Sequence, residues 1–179
     1  MDRRRSWKIT GGIDGRRSFT MSVTHVPLGG GESVWIADNE LVTFKEMGKD
    51  TGGLFALVEV IGLPGSGPPP HIHHSVDEVY CLLEGELEFL DGERTFTANA
   101  GSIFHIPRGT LHAWRNATTK PARTLLFIVP AGFEGFFQEA GVPGTDLSSP
   151  PPPPTPEDFQ RMAELGRKYD TEYPPLSSW

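Results

Sequence analysis

The sequence contains a single cysteine, Cys81, among its 179 residues. One cysteine cannot form an intramolecular disulfide, which excludes a disulfide-stabilised scaffold and is typical of a reducing compartment. No apolar run approaches the ~20 residues that span a bilayer, and the first residues, MDRRRSWKI, lack the apolar core of a signal peptide. Together these absences predict a cytoplasmic protein with no membrane partner.

The sequence also has fewer basic than acidic residues. The chain has 16 Lys and Arg against 23 Asp and Glu, which gives a net charge of −7 and a pI near 5.3. A surface that binds nucleic acid needs a concentration of positive charge, so the composition argues against a nucleic-acid partner. The short run from Arg3 to Arg5 is interpreted as a solvated tail rather than as a nucleic-acid-binding arm.

Glycine and proline, by contrast, are abundant. The chain has 21 Gly and 17 Pro, and both residues disfavour the interior of helices. Between residues 33 and 130, short apolar and alternating stretches follow one another, and Asp91-Gly92 is a typical signal for a two-residue hairpin. Strands at this spacing, without intervening helices, predict an all-β sandwich or barrel over residues 33–130.

The two ends of the chain have a different character. Residues 1–32 are predicted to form an N-terminal arm with a candidate strand over residues 19–24. That strand either pairs with a second copy of the chain or packs on an edge of its own sheet. Residues 131–179 are predicted to form a helical and proline-rich C-terminal cap.

Three signals organise this cap. A short helix is predicted over residues 133–140. The prolines of residues 150–154 are interpreted as an extended spacer that crosses the surface of the domain, and a ligand for a polyproline-binding domain is the alternative. Thr155 has the features of a helix N-cap, since a proline follows it and Asp158 lies three residues on.

Histidines and a glutamate form the pattern with the clearest chemical meaning. His71 and His73 are two residues apart, so on an extended segment their side chains point to the same side. Glu78 begins the next strand, and His112 follows a turn further along the chain. Imidazole nitrogens and a carboxylate oxygen suit a divalent transition metal, although an H-x-H pair alone is weak support for a metal site.

Two longer segments resemble the two motifs of the cupin superfamily. Residues 65–85, GSGPPPHIHHSVDEVYCLLEG, resemble the first motif, and residues 101–116, GSIFHIPRGTLHAWRN, resemble the second. The resemblance implies an all-β fold, a double-stranded β-helix or small jelly-roll barrel, with a short C-terminal helical cap. The ion would be one divalent transition metal, for which Mn, Fe, Co, Ni, Cu and Zn are all candidates. The metal ligands that the resemblance implies are His71, His73, Glu78 and His112.

A substrate pocket is predicted beside these ligands from the alternation of side chains along each strand. Side chains with the parity of Glu78 or His112 are expected on the inner face, where apolar and aromatic groups suit a flat or hydrophobic organic substrate. The alternative interpretation is that they only fill the interior of a small barrel. The predicted substrate-binding residues are Tyr80, Leu82, Phe104, Ile106 and Trp114.

Within the superfamily, residues 32–141 resemble the one-domain quercetin 2,3-dioxygenase-like cupins of bacteria. This resemblance implies a metal-dependent dioxygenase or related oxidoreductase that acts on a phenolic or enolisable, flavonol-like small molecule, with dioxygen as second substrate and Glu78 as catalytic base. It also implies a homodimer. Two alternatives stay open: a non-redox enzyme such as a cyclase, isomerase or lyase, and a metal-dependent small-molecule binding protein without turnover.

Overall fold

The structure is a computed structural model that describes residues 23–37, 39–144, 147–148, 150–152 and 155–175. Most of its regular structure is strand. The strands are β1 (Ser33–Ile36), β2 (Glu40–Glu46), β3 (Ala56–Gly62), β4 (Ile72–His73), β5 (Asp77–Glu84), β6 (Glu86–Asp91), β7 (Arg94–Asn99), β8 (Ile103–Ile106), β9 (His112–Arg115), β10 (Ala122–Val129), β11 (Val142–Pro143) and β12 (Thr171–Glu172). The helices are α1 (Gly48–Thr51), α2 (Glu134–Ala140) and α3 (Pro156–Lys168).

Two antiparallel sheets form the body of the fold. The larger sheet has the order β11-β1-β2-β3-β10-β5-β8, the smaller has the order β7-β6-β9, and β4 pairs with β12. Every second residue of β10 is buried, which is the period of a strand with one face on a core. That core includes Val58 and Leu126 from the larger sheet and Leu87 and Phe89 from the smaller one. The predicted all-β fold with helices near the C-terminus is confirmed.

The predicted hairpin turns one residue later than expected. In the pairing of β6 with β7, Asp91 lies opposite Arg94, so the two loop residues are Gly92 and Glu93. Gly92 has a φ of 61°, in the left-handed region that glycine adopts without a steric penalty. The glycine of the Asp-Gly signal therefore supplies the backbone freedom that the turn requires.

The C-terminal segment is tied to the barrel by two strands that were not predicted. β11 pairs with β1 at an edge of the larger sheet, and β12 pairs with β4. α2 begins one residue later than predicted, and α3 begins as predicted with a reciprocal capping box between Thr155 and Asp158. The division into a barrel over residues 33–130 and a cap over residues 131–179 stays a prediction.

Two predicted segments fall partly outside the described residues. The candidate strand over residues 19–24 reaches them only at Val23 and Thr24, which are not in a strand. Of the proline run, only residues 150–152 are described, and they have no regular secondary structure.

Among the helices that the structure describes, none combines the length and the apolar character needed to cross a bilayer. The homodimer stays a prediction.

Candidate metal centre

The four predicted metal ligands lie together, although they come from two separate parts of the chain. His73 is in β4, Glu78 in β5 and His112 in β9, while His71 immediately precedes β4. The His71 N–H donates to the His112 carbonyl (2.9 Å), and the His112 N–H donates to the His71 carbonyl (3.0 Å). This pair of backbone hydrogen bonds holds the first motif against β9 of the smaller sheet, so the side chains of both motifs meet.

The donor atoms of the four side chains converge within 4.8 Å of one another, and each residue is buried. His73 Nε2 is 3.1 Å from His71 Nε2 and 3.5 Å from Glu78 Oε1, and His112 Nε2 is 3.1 Å from Glu78 Oε2. Donors that lie ~2.1 Å from one ion, separated by angles of roughly 90–110°, are roughly 3.0–3.4 Å apart. The spacing of the cluster therefore fits one divalent ion.

Each imidazole turns its second nitrogen toward a hydrogen-bond partner outside the cluster. His71 Nδ1 is 2.9 Å from the Pro69 carbonyl, and His112 Nδ1 is 3.0 Å from the Thr110 carbonyl. Because a carbonyl only accepts, these Nδ1 atoms carry protons. A side-chain hydroxyl lies 2.9 Å from His73 Nδ1. The Nε2 atoms are thus directed at the common centre, where a cation stabilises their lone pairs.

Burial and the charges within the cluster shift its pKa values. Burial lowers the pKa of His71 well below 6.5, and burial also lowers that of His73 despite the nearby Glu78. For His112, burial acts to lower the pKa, but the hydrogen bond to Glu78, the charge of Glu78 and the hydrogen bond to the Thr110 carbonyl together raise it. Burial alone would raise the pKa of Glu78, but His73 and the hydrogen bond from His112 bring it to about 2. At neutral pH the cluster therefore offers an ionised carboxylate and neutral imidazoles at His71 and His73, the protonation states that bind metal.

The metal-free protein is expected to lose stability as the pH falls below 6.5. The pKa values of His71 and His73 are lower in the folded protein than the ordinary value of 6.5, so below that pH the unfolded chain binds more protons and unfolding is favoured. The raised pKa of His112 acts above pH 6.5 and leaves this window unaffected. The loss is measured as the urea-unfolding midpoint of chelator-treated protein between about pH 7 and pH 5.

Two variants test the origin of this pH dependence. His71→Gln removes one of the two groups responsible, so its unfolding midpoint should change less over the same range than that of the wild type. His105 is exposed on β8, outside the cluster, and His105→Gln should retain the full pH dependence. An identical pH profile for the wild type and His71→Gln would show that the buried imidazole does not cause it.

A cavity of about 520 Å³ opens beside the cluster. His71, His73 and Glu78 form part of its wall, as do Tyr80 and Trp114 from the predicted substrate-binding set. Several aromatic and apolar side chains of the C-terminal segment also line the cavity, and they include Phe133, Phe136, Phe137, Phe159, Met162 and Tyr173. The cavity therefore joins the candidate metal ligands to a largely apolar wall that contains several aromatic rings.

The other three predicted substrate-binding residues lie elsewhere. Leu82 is fully buried in the core and does not line the cavity beside the ligands. Phe104 and Ile106 line a second cavity of about 220 Å³, which also reaches His112. The Phe104 ring stacks on that of Phe89, with ring centroids 4.7 Å apart. The structure therefore brings together only part of the predicted pocket.

Residues near the C-terminus contact the cluster and were not found from the sequence. The Thr171 hydroxyl lies 2.9 Å from His73 Nδ1, and the Tyr173 ring lies 5.8 Å from that of His71, centroid to centroid. Thr171 is 98 residues from His73 along the chain. No local pattern signals a pairing over that distance, because it results from the tertiary packing of the whole C-terminal segment.

The amino-acid sequence matches one family model and is similar to several proteins of known name. Residues 58–129 match the family model described as Cupin domain. The chain is 29% identical over 137 residues to quercetin 2,3-dioxygenase of Bacillus subtilis (strain 168), in an alignment that covers 76% of this chain and 40% of that protein. It is 37% identical over 75 residues to germin-like protein subfamily 2 member 2 of Arabidopsis thaliana, covering 39% of this chain and 34% of that protein. The chain thus spans less than half the length of either relative.

Two solved structures have a similar fold. A sugar phosphate isomerase from a cupin superfamily, from Silicibacter pomeroyi, aligns with a TM-score of 0.53 at 22% identity, over 59% of this chain and 75% of that chain. A polyketide cyclase from Streptomyces resistomycificus aligns with a TM-score of 0.54 at 21% identity, over 60% of this chain and 80% of that chain. At these identities the likeness concerns the fold alone.

Proposed function

We propose that the protein, in which residues 58–129 match the family model described as Cupin domain, is a metal-dependent dioxygenase that acts on a flat, hydrophobic, enolisable molecule such as a flavonol. The observation that carries the proposal is that three of the four candidate ligands stand in the wall of a cavity with aromatic sides. The similarity to quercetin 2,3-dioxygenase of Bacillus subtilis supports the same reaction class.

The volume and lining of the cavity support a planar aromatic substrate. Its volume of about 520 Å³ falls within the ~300–1,000 Å³ typical of sites for small organic molecules. Phe133 stands edge-on to His73, with ring centroids 4.2 Å apart, and is stacked on Phe136 at 5.1 Å. Tyr80 and Trp114 also line the cavity. Aromatic side chains of this kind bind a flat ring through stacking and edge-to-face contacts and exclude water from it.

Glu78 is the group that would receive the substrate proton. The residue is 1% exposed, and its two carboxylate oxygens face His73 and His112. A divalent ion held by the cluster would supply Lewis acidity that acidifies an enol hydroxyl, and a template for the substrate and dioxygen. Glu78 is ionised at neutral pH, so the carboxylate oxygen that does not bind the ion can accept the proton, and the buried surroundings limit exchange of that proton with water.

A non-redox enzyme is the second candidate function, because proton transfer by Glu78 within this cavity requires no oxidant. The same carboxylate would remove a proton beside a carbonyl and return it elsewhere, as a cyclase, isomerase or lyase requires. The buried position of Glu78 at the cavity wall supports this reaction class as well as the first. The two candidates differ in whether dioxygen is consumed.

Oxygen uptake by protein of known metal content tests the proposal. Metal-free protein is loaded separately with Mn²⁺, Fe²⁺, Co²⁺, Ni²⁺, Cu²⁺ or Zn²⁺ and mixed with a panel of flavonols and other enols. We expect at least one redox-active ion to support dioxygen consumption in step with loss of the flavonol absorbance. Uptake with none of the ions would reject the dioxygenase. Deuterium incorporation from D₂O into the same compounds would then favour the non-redox enzyme.

A further inference from the structure

We propose that Thr171 is a positioning residue of the metal centre, and that the C-terminal strand β12 is thereby part of that centre. The Thr171 hydroxyl lies 2.9 Å from His73 Nδ1, and both side chains are buried. By accepting the Nδ1 proton of His73, the hydroxyl fixes Nε2 as the unprotonated, metal-binding nitrogen. The inference rests on the proposed metal binding and adds a determinant that lies outside both sequence motifs.

The hydroxyl has its own hydrogen-bond acceptor, which leaves its oxygen available to His73. Thr171 Oγ1 donates to the Tyr169 carbonyl at 3.4 Å. A hydroxyl has one proton and two lone pairs, so a proton directed at Tyr169 leaves a lone pair facing His73 Nδ1. Thr171 is only 2% exposed, and a buried hydroxyl in this geometry is a specific partner rather than one exchanged with solvent.

Backbone pairing holds Thr171 in place against the ligand. In the antiparallel pairing of β12 with β4, Thr171 lies opposite His73 and Glu172 lies opposite Ile72. The His74 N–H also donates to the Asp170 carbonyl at 2.9 Å. The short β4 strand therefore has the C-terminal segment as its sheet partner, and the side-chain contact between Thr171 and His73 is set by strand register.

The hydrogen-bond partner of His73 Nδ1 lies much farther away along the chain than those of the other two histidines. The Nδ1 acceptors of His71 and His112 are carbonyls two residues earlier in the chain, at Pro69 and Thr110. Those contacts are local and persist wherever the C-terminus lies. Among the Nδ1 contacts of the three histidines, only that of His73 comes from a segment 98 residues away, so the C-terminal segment sets the Nδ1 partner of this ligand alone.

The same segment also closes one side of the cavity. Tyr173 and Pro174, which follow β12 directly, are part of the cavity wall. The segment is anchored by α3, where Lys168 and Tyr169 both contact Glu139 of α2 at 2.6 Å. The segment that places Thr171 beside His73 therefore also forms part of the cavity wall.

Replacement of Thr171 by Val and by Ser in the full chain tests the proposal. Valine retains the branched shape without the hydroxyl, and serine retains the hydroxyl. With Co²⁺ as the probe and a competing chelator, we expect Thr171→Val to bind about 10–100-fold more weakly than the wild type, with an altered visible Co²⁺ spectrum. Thr171→Ser should restore the wild-type spectrum and an affinity within about threefold.

Thr124→Val is the matched control. Thr124 is a buried threonine on β10 whose hydroxyl donates to the Val60 carbonyl, away from the cluster. Its replacement should change the unfolding temperature of the metal-free protein but neither the Co²⁺ affinity nor the spectrum. Unchanged Co²⁺ affinity in Thr171→Val, or an equal loss in Thr171→Ser, would overturn the role of Thr171. A wild-type protein that binds no Co²⁺ would instead overturn the proposed metal function.

Discussion

Replacement of His112 by alanine is expected to lower the affinity of the protein for a divalent ion by about 10²–10³-fold. Four side-chain donors share a binding free energy that is ~10–16 kcal/mol for structural zinc sites, so each accounts for roughly 2.5–4 kcal/mol. His112 is 2% exposed, and its Nε2 lies 3.1 Å from the Glu78 carboxylate. No described histidine outside the cluster is close enough to replace it.

The affinity of His112→Ala is measured by competition with a chelator, and bound metal is counted by mass spectrometry. Alanine retains the backbone N–H and carbonyl that bond to His71, so the bridge between the two motifs should persist and the variant should fold. His105→Ala is the control, because this histidine is exposed on β8. Equal metal content in His112→Ala and the wild type would reject His112 as a ligand.

Replacement of Glu78 by glutamine is expected to reduce turnover by about 10²–10⁴-fold, the usual contribution of a positioned general base. Glutamine has nearly the same shape as glutamate, but its neutral amide is far less basic than a carboxylate and cannot act as a general base. The residue is 1% exposed and lies in the cavity wall, where it would be next to a bound substrate. The measurement is kcat for dioxygen uptake, or for deuterium exchange if the reaction is non-redox.

Glu78 is also a candidate ligand, so turnover must be compared at equal metal content. Saturating metal and parallel metal analysis separate a lost base from a lost ion. Glu84→Gln is the matched control, because Glu84 lies on the same strand, β5, but is exposed and pairs with Arg123. Full turnover in metal-loaded Glu78→Gln would reject Glu78 as the base and would leave the metal-binding proposal unaffected.

The positions of the candidate ligands could be predicted because they follow from short-range rules. His71 and His73 share a face through the two-residue period of an extended chain, and the two motif resemblances add Glu78 and His112. The structure brings these four side chains within 4.8 Å of one another. Local pattern was sufficient here because each motif contributes its ligands from one continuous segment.

The pocket was harder to predict, because strand parity describes a face of a sheet but not what lies opposite it. Ile106 pairs with Glu78 and Phe104 pairs with Tyr80, so these side chains share a face, as their parity indicates. β8 is nevertheless the last strand of its sheet, and Phe104 meets the smaller sheet at Phe89 rather than the cavity beside the ligands.

The contribution of the C-terminal segment could not be predicted at all from local pattern. Its two strands are two residues each, too short for a recognisable alternation. The capping box at Thr155 identified the start of α3, but nothing after the helix indicated a return to β4. The aromatic wall that this segment adds to the cavity depends on tertiary contacts between α2, α3 and the barrel.

The two backbone hydrogen bonds between His71 and His112 imply that the metal site forms late in folding. They join residues far apart in sequence, so the four donors converge only after the chain has closed its long loops and paired its strands. An ion would therefore select the finished fold and stabilise it by mass action, by about 2.7 kcal/mol at a hundred times its Kd. Withdrawal of the ion would remove this contribution and lower the free energy of unfolding by the same amount.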